Sequence, residues 1–85
     1  MKRDLIDMLV EASHRIKERF PGCSVMYGSP EEGIFEISVM YEGAYLERRI
    51  SKTQLYSAYD QEGFLQVETD AIINNLAWRM EKMDV

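Results

Sequence analysis

Ile34-Phe35-Glu36-Ile37-Ser38-Val39-Met40-Tyr41-Glu42-Gly43-Ala44-Tyr45-Leu46-Glu47-Arg48-Arg49-Ile50 is the stretch that decides the fold. Its first eight residues alternate with period two, placing Phe35, Ile37, Val39 and Tyr41 on one side and Ile34, Glu36, Ser38 and Met40 on the other. Glu42-Gly43 then reads as a two-residue turn, because glycine supplies the positive φ that such hairpins require. Taking that turn literally sets the register: Tyr41 opposite Ala44, Val39 opposite Leu46, Ile37 opposite Arg48, Phe35 opposite Ile50. One face is then apolar except for Arg48, and the other pairs Met40 with Tyr45, Ser38 with Glu47 and Glu36 with Arg49. A slip of one residue would turn Glu47 and Arg49 toward the core.

Working outward from the hairpin, Cys23, Val25 and Tyr27 alternate with Ser24 and Met26 as a preceding strand, and Gly28-Ser29-Pro30-Glu31-Glu32-Gly33 reads as a loop. Before that, from about Lys2 to Phe20, Leu5, Ile6, Leu9, Ala12, Ser13, Ile16 and Phe20 recur at helical spacing within one arc. Asp4 and Asp7 at its start and Arg15, Lys17 and Arg19 at its end suit the helix dipole, and Pro21-Gly22 stops it. After the hairpin, Ser51-Lys52-Thr53-Gln54 has capping-box spacing for a short helix that includes Leu55, Ala58 and Tyr59. Asp60 to Glu68 reads as an ordered polar connection tacked to the core by Phe64, Leu65 and Val67. Thr69 then caps a last helix with Ile72, Ile73, Leu76, Met80 and Met83 on one face. A meander with one apolar face needs a cover, and two helices each offer one apolar stripe. The expected fold is therefore α+β, a two-layer sandwich of a three-stranded antiparallel meander packed by helices in the order α-β-β-β-(short α)-α.

The 85 residues suffice for a single domain, and 46% hydrophobic with 29% charged residues is an ordinary globular balance. The net charge of -5 argues against a chain that grips phosphate backbones directly. One cysteine cannot make an internal disulfide, and no stretch has the length of a membrane span or signal peptide, so a reducing cytoplasmic setting is the expectation.

Catalytic constellations are scarce, and the chain is read as non-enzymatic, with no cofactor and no metal. His14 is the single histidine and falls on the solvated side of the first helix, away from the arc of apolar residues. Cys23 has no histidine near it in sequence and reads as a small buried hydrophobe. Asp60, Glu62 and Glu68 surround Gly63 without the alternating ligands of a calcium loop, and no phosphate-cradling glycine pattern occurs.

Two features point to partners instead. Residues 1–28, 29–70 and 71–85 carry net charges of +1, -6 and 0, so the acidic excess lies in the hairpins and the connection. Glu31, Glu32, Glu36, Glu42, Glu47, Asp60 and Glu62 are the candidate contacts, and their charge would steer a basic surface. Trp78 lies opposite the Leu76 stripe on the last helix, where an outward tryptophan suits an interface anchor. Met40 and Tyr45, with Ile34 nearby, form a further exposed patch on the sheet.

The helix, three-strand, helix order resembles the double-stranded-RNA-binding domain, but that family carries basic residues at the start of its last helix where this chain has Glu68-Thr69-Asp70. In size, acidity and element order the chain also resembles small phage-encoded inhibitors of CRISPR nucleases. That resemblance implies that the acidic residues named above stand in for phosphates on a nucleic-acid-binding groove. The function expected is a protein-binding inhibitor or adaptor acting on a basic partner. The alternative is a homodimer formed through Trp78 and the last helix.

Overall fold

A computed structural model describes residues 4–83 of the chain, without the side chain of Met83. It is the expected two-layer α+β sandwich: α1 (Leu5–Arg19), β1 (Ser24–Glu31), β2 (Ile34–Tyr41), β3 (Ala44–Ser51), α2 (Lys52–Ser57) and α3 (Gln61–Met83). The strands form an antiparallel sheet in the order β1-β2-β3. The hairpin register is the one its turn dictates, with Tyr41 opposite Ala44, Val39 opposite Leu46, Ile37 opposite Arg48 and Phe35 opposite Ile50. Arg49 Nε lies 3.3 Å from Glu36 Oε2, so the expected cross-strand charge pair is made.

Both residues of the β2–β3 turn have positive φ, 49° at Glu42 and 84° at Gly43, which matches the twist of the flanking strands. A glutamate there crowds its Cβ against the following carbonyl. Glu42→Asn is expected to raise the unfolding free energy by about 0.5–1 kcal/mol, since asparagine tolerates the left-handed region better. Urea denaturation of the two proteins measures the difference.

α1 starts at Leu5, because Asp4 holds an extended backbone and its carboxylate accepts from the Ile6 amide at 3.4 Å. The expected start at Lys2 lies outside the described residues. The arc read from sequence is also rotated: Ile6 is 66% exposed, whereas Met8 is buried with Leu9, Ala12 and Ile16. α1 packs against α3 as well as over the sheet, and the second contact draws Met8 inward.

Two connections differ from expectation. β1 continues through Gly28-Ser29-Pro30 to Glu31, with an irregularity between Gly28 and Glu31, and only Glu32-Gly33 turns. The Ser29 hydroxyl supports the bend by donating to the Ile34 carbonyl at 2.8 Å. α3 begins at Gln61, eight residues before the expected cap. Asp60 is the residue that caps it, accepting from the Gly63 amide at 3.0 Å. A Cβ at Gly63 would lie 2.4 Å from the Asp60 carboxylate, so this glycine makes room for the cap. Thr69 sits inside the helix, 1% exposed, donating to the Leu65 carbonyl at 2.6 Å. Val67, expected to tack the segment down, is 67% exposed. α2 starts as expected, with the Ser51 hydroxyl accepting from the Gln54 amide at 3.3 Å, but it ends at Ser57: Ala58, expected within it, is an extended cap, and Tyr59 lies beyond it, fully exposed.

The core joins Met8, Leu9 and Ile16 of α1 to Ile37, Val39 and Ile50 of the sheet and to Leu65, Ile72 and Leu76 of α3. Phe20 packs on Tyr41 and the Arg79 guanidinium donates to the Tyr45 carbonyl. The C-terminal ends of α1 and α3 therefore both lie near the β2–β3 turn. Among the described residues, both long helices cover one face of the sheet and leave the other bare.

Candidate functional site

The bare face carries every second residue of the meander. Across its rows run Ser24-Met40-Tyr45, Met26-Ser38-Glu47 and Gly28-Glu36-Arg49. Met26, Met40 and Tyr45 are 66%, 54% and 45% exposed, an apolar centre with no covering element. Glu47 accepts from the Tyr45 hydroxyl at 3.3 Å, which orients its carboxylate beside that centre. Glu36 is largely buried against Arg49 and also accepts from Ser38 at 3.4 Å. Glu31 lies 3.6 Å from the same guanidinium.

Of the predicted contacts, Glu31, Glu36 and Glu47 share this face, while Glu32 and Glu42 sit in the two turns at its opposite ends. The face and its turns thus hold five carboxylates; Arg49 is the basic residue on the face itself, with Arg79 at the Tyr45 edge and Lys52 beside the β1–β2 turn. The remaining candidates lie elsewhere. Asp60 serves as the α3 cap, Glu62 stands in the first turn of that helix, and Trp78 lies farther along it. Trp78 is 59% exposed, with Lys82 Nζ 5.4 Å from its ring centroid. Met26 is the member of the site that sequence reasoning missed. Its alternation with Val25 and Tyr27 was the available signal.

Groups capable of chemistry are few. Cys23 is buried, and desolvation pushes its thiol above the ordinary value, with Lys17 and the backbone pulling weakly the other way. A thiol held protonated in this way packs as a small hydrophobe and is a poor nucleophile. Tyr27 is likewise raised, chiefly by burial, and its hydroxyl donates to the Leu9 carbonyl while bonding Ser13. His14 is exposed on α1. Among the described residues no group of three or more His, Cys, Asp or Glu side chains is arranged to hold a metal ion, and no helix is long and apolar enough to cross a membrane. A cavity of about 20 Å³ between α1 and α3, walled by Met8, Ala12, Leu65 and Thr69, has room for one water rather than a ligand.

No protein-family model, no curated protein and no solved structure matches this chain.

Proposed function

We propose that the protein is a non-enzymatic binding module that applies the bare sheet face to a basic protein surface. The observation that carries this reading is an exposed apolar centre, Met26, Met40 and Tyr45, on a face whose strands and turns carry five carboxylates and, among basic residues of the face itself, Arg49. Apolar anchors supply affinity once water is excluded, and surrounding charge supplies orientation and association rate. A nucleic-acid-binding protein in the cytoplasm is the class of partner whose surface complements it. The module would then act as an inhibitor or adaptor that mimics nucleic acid, in the manner of the phage-encoded CRISPR inhibitors it resembles.

The test is capture from a native extract at low and high salt, using wild type, a Glu31→Lys/Glu32→Lys/Glu42→Lys/Glu47→Lys variant, and a Glu11→Lys/Glu18→Lys control on α1. A basic nucleic-acid-binding protein should be held at low salt by wild type and control, at least tenfold less by the four-site variant, and released by salt. Equal capture by the four-site variant would refute the reading. A second reading, self-association through Trp78 and α3, draws on the exposure of that indole. A monomeric wild type, or self-association that survives Trp78→Ala, would eliminate it.

A further inference from the structure

The two edges of the sheet are treated differently. β3 carries Glu47, Arg48 and Arg49, and the Arg79 guanidinium occupies its Tyr45 carbonyl. β1 has none of these guards until its end: from Cys23 to Pro30 no residue is charged, in a chain that is 29% charged. Natural sheets usually protect an exposed edge with charge, and an unguarded edge is a template for another strand. The direction of its free groups follows from the ladder. The two-residue turn makes Tyr41 and Ala44 exchange both hydrogen bonds, so Met40, Ser38 and Glu36 bond toward β1. Ser24, Met26 and Gly28 are satisfied by them, and the N–H and C=O of Val25 and Tyr27 point outward.

The flank of α1 beside this edge is apolar too. Ser13 bonds Tyr27 and Arg15 pairs with Asp70 of α3, which fixes which side of α1 faces which way. Helical spacing places Ile6 and Val10 on the Ser13 side. They are 66% and 49% exposed on the covered side of the sheet, where Tyr27 (37%) also lies, while Met26 (66%) projects from the bare side, so apolar residues border the edge on both faces.

We infer that β1 and this flank of α1 are the contact between two copies of this chain, paired antiparallel about a two-fold axis at Met26. In that register Val25 exchanges both hydrogen bonds with Tyr27 of the second copy, and Met26 faces Met26 on the bare side. Met26 is the midpoint at which the two outward-bonding residues of the edge, Val25 and Tyr27, pair with each other. A second copy fits because the uncharged run then meets only itself. The two α1 helices also run antiparallel across the seam. On the flank side, Lys17 near the basic end of each helix lies toward Asp7 near the acidic end of the other, with opposed dipoles. The result is a six-stranded sheet with two bare faces joined edge to edge, whether or not those faces bind a basic partner.

The test uses the full 85-residue chain. Sedimentation equilibrium should show association to twice 9.9 kDa, weakened at least tenfold by Met26→Lys, which sets like charges opposite each other at the axis, and retained in Trp78→Ala. Met26→Cys should oxidise to a covalent dimer faster than Ser24→Cys. Facing residues in a non-hydrogen-bonded pair have Cα atoms about 4.5 Å apart, within disulfide reach, whereas Ser24 would face Gly28. Three results would overturn the inference. One is a wild type that stays at 9.9 kDa up to about 1 mM and a Met26→Cys variant that does not cross-link. Another is a dimer unaffected by Met26→Lys and dissolved by Trp78→Ala, which would move the contact to α3. The last is a monomeric chain whose Met26→Cys variant cross-links to a different protein in an extract, which would assign the edge to that protein's strand.

Discussion

Leu76→Ala is expected to lower the unfolding free energy by about 3–4 kcal/mol, and the melting temperature by more than roughly 12 °C. Leu76 is 0% exposed and belongs to the cluster where α3 meets Ile16 of α1 and Ile37 and Val39 of the sheet. Truncation removes the transfer energy of the lost carbons and leaves a cavity that three packed elements are poorly able to close. An 85-residue domain has a total stability of about 4–13 kcal/mol, so the loss is a large share of the whole. Trp78→Ala, two residues along the same helix but on the exposed side, should change stability by no more than about 0.5 kcal/mol. Thermal melts of the two variants decide the matter. Similar losses at both positions would contradict the orientation of α3.

Glu68→Ala is expected to cost about 2 kcal/mol. Arg48 projects from the core-facing side of β3, and its guanidinium is paired with the Glu68 carboxylate of α3. The Glu68 side chain is only 17% exposed, so removing it strands a partly buried cation. Solvent reaches Arg48, 37% exposed, and keeps the loss below the 3–5 kcal/mol of a fully enclosed pair. Arg48→Leu combined with Glu68→Leu should recover most of the stability, because two apolar side chains in that position demand no charge partner. Chemical denaturation of the single and double variants gives the coupling. A double variant as unstable as Glu68→Ala would show that the pair matters through packing rather than charge.

The Arg48–Glu68 pair also shows where sequence reasoning stopped. Hairpin register placed Arg48 among apolar residues, which marked it as needing a partner, but that partner comes from a segment read as a connection. Asp60, three residues before Gly63, was a legible cap, and Phe64, Leu65, Thr69 and Ile72 recur at helical spacing after it. Glycine and the polar residues around it outweighed that signal, because the close approach of the Asp60 carboxylate that glycine permits exists only in three dimensions. The candidate site was legible in part. Alternation placed Glu36, Glu47, Met40 and Tyr45 on one side, but net charge along the chain could not separate the carboxylates of the sheet face from Asp60 and Glu62, which fold onto α3.

The amino-acid order alone determined the hairpin, its register, the Glu36–Arg49 pair and the Ser51 cap, since each depends on residues close in sequence and on the period-two geometry of a strand. Only the tertiary structure decided the phase of α1, the length of α3 and the exposure of Ile6, Val10 and Met26 on either side of the β1 edge. A helix packed on two neighbours at once buries the arc that serves both, and the direction of the second neighbour is set by contacts across the whole chain.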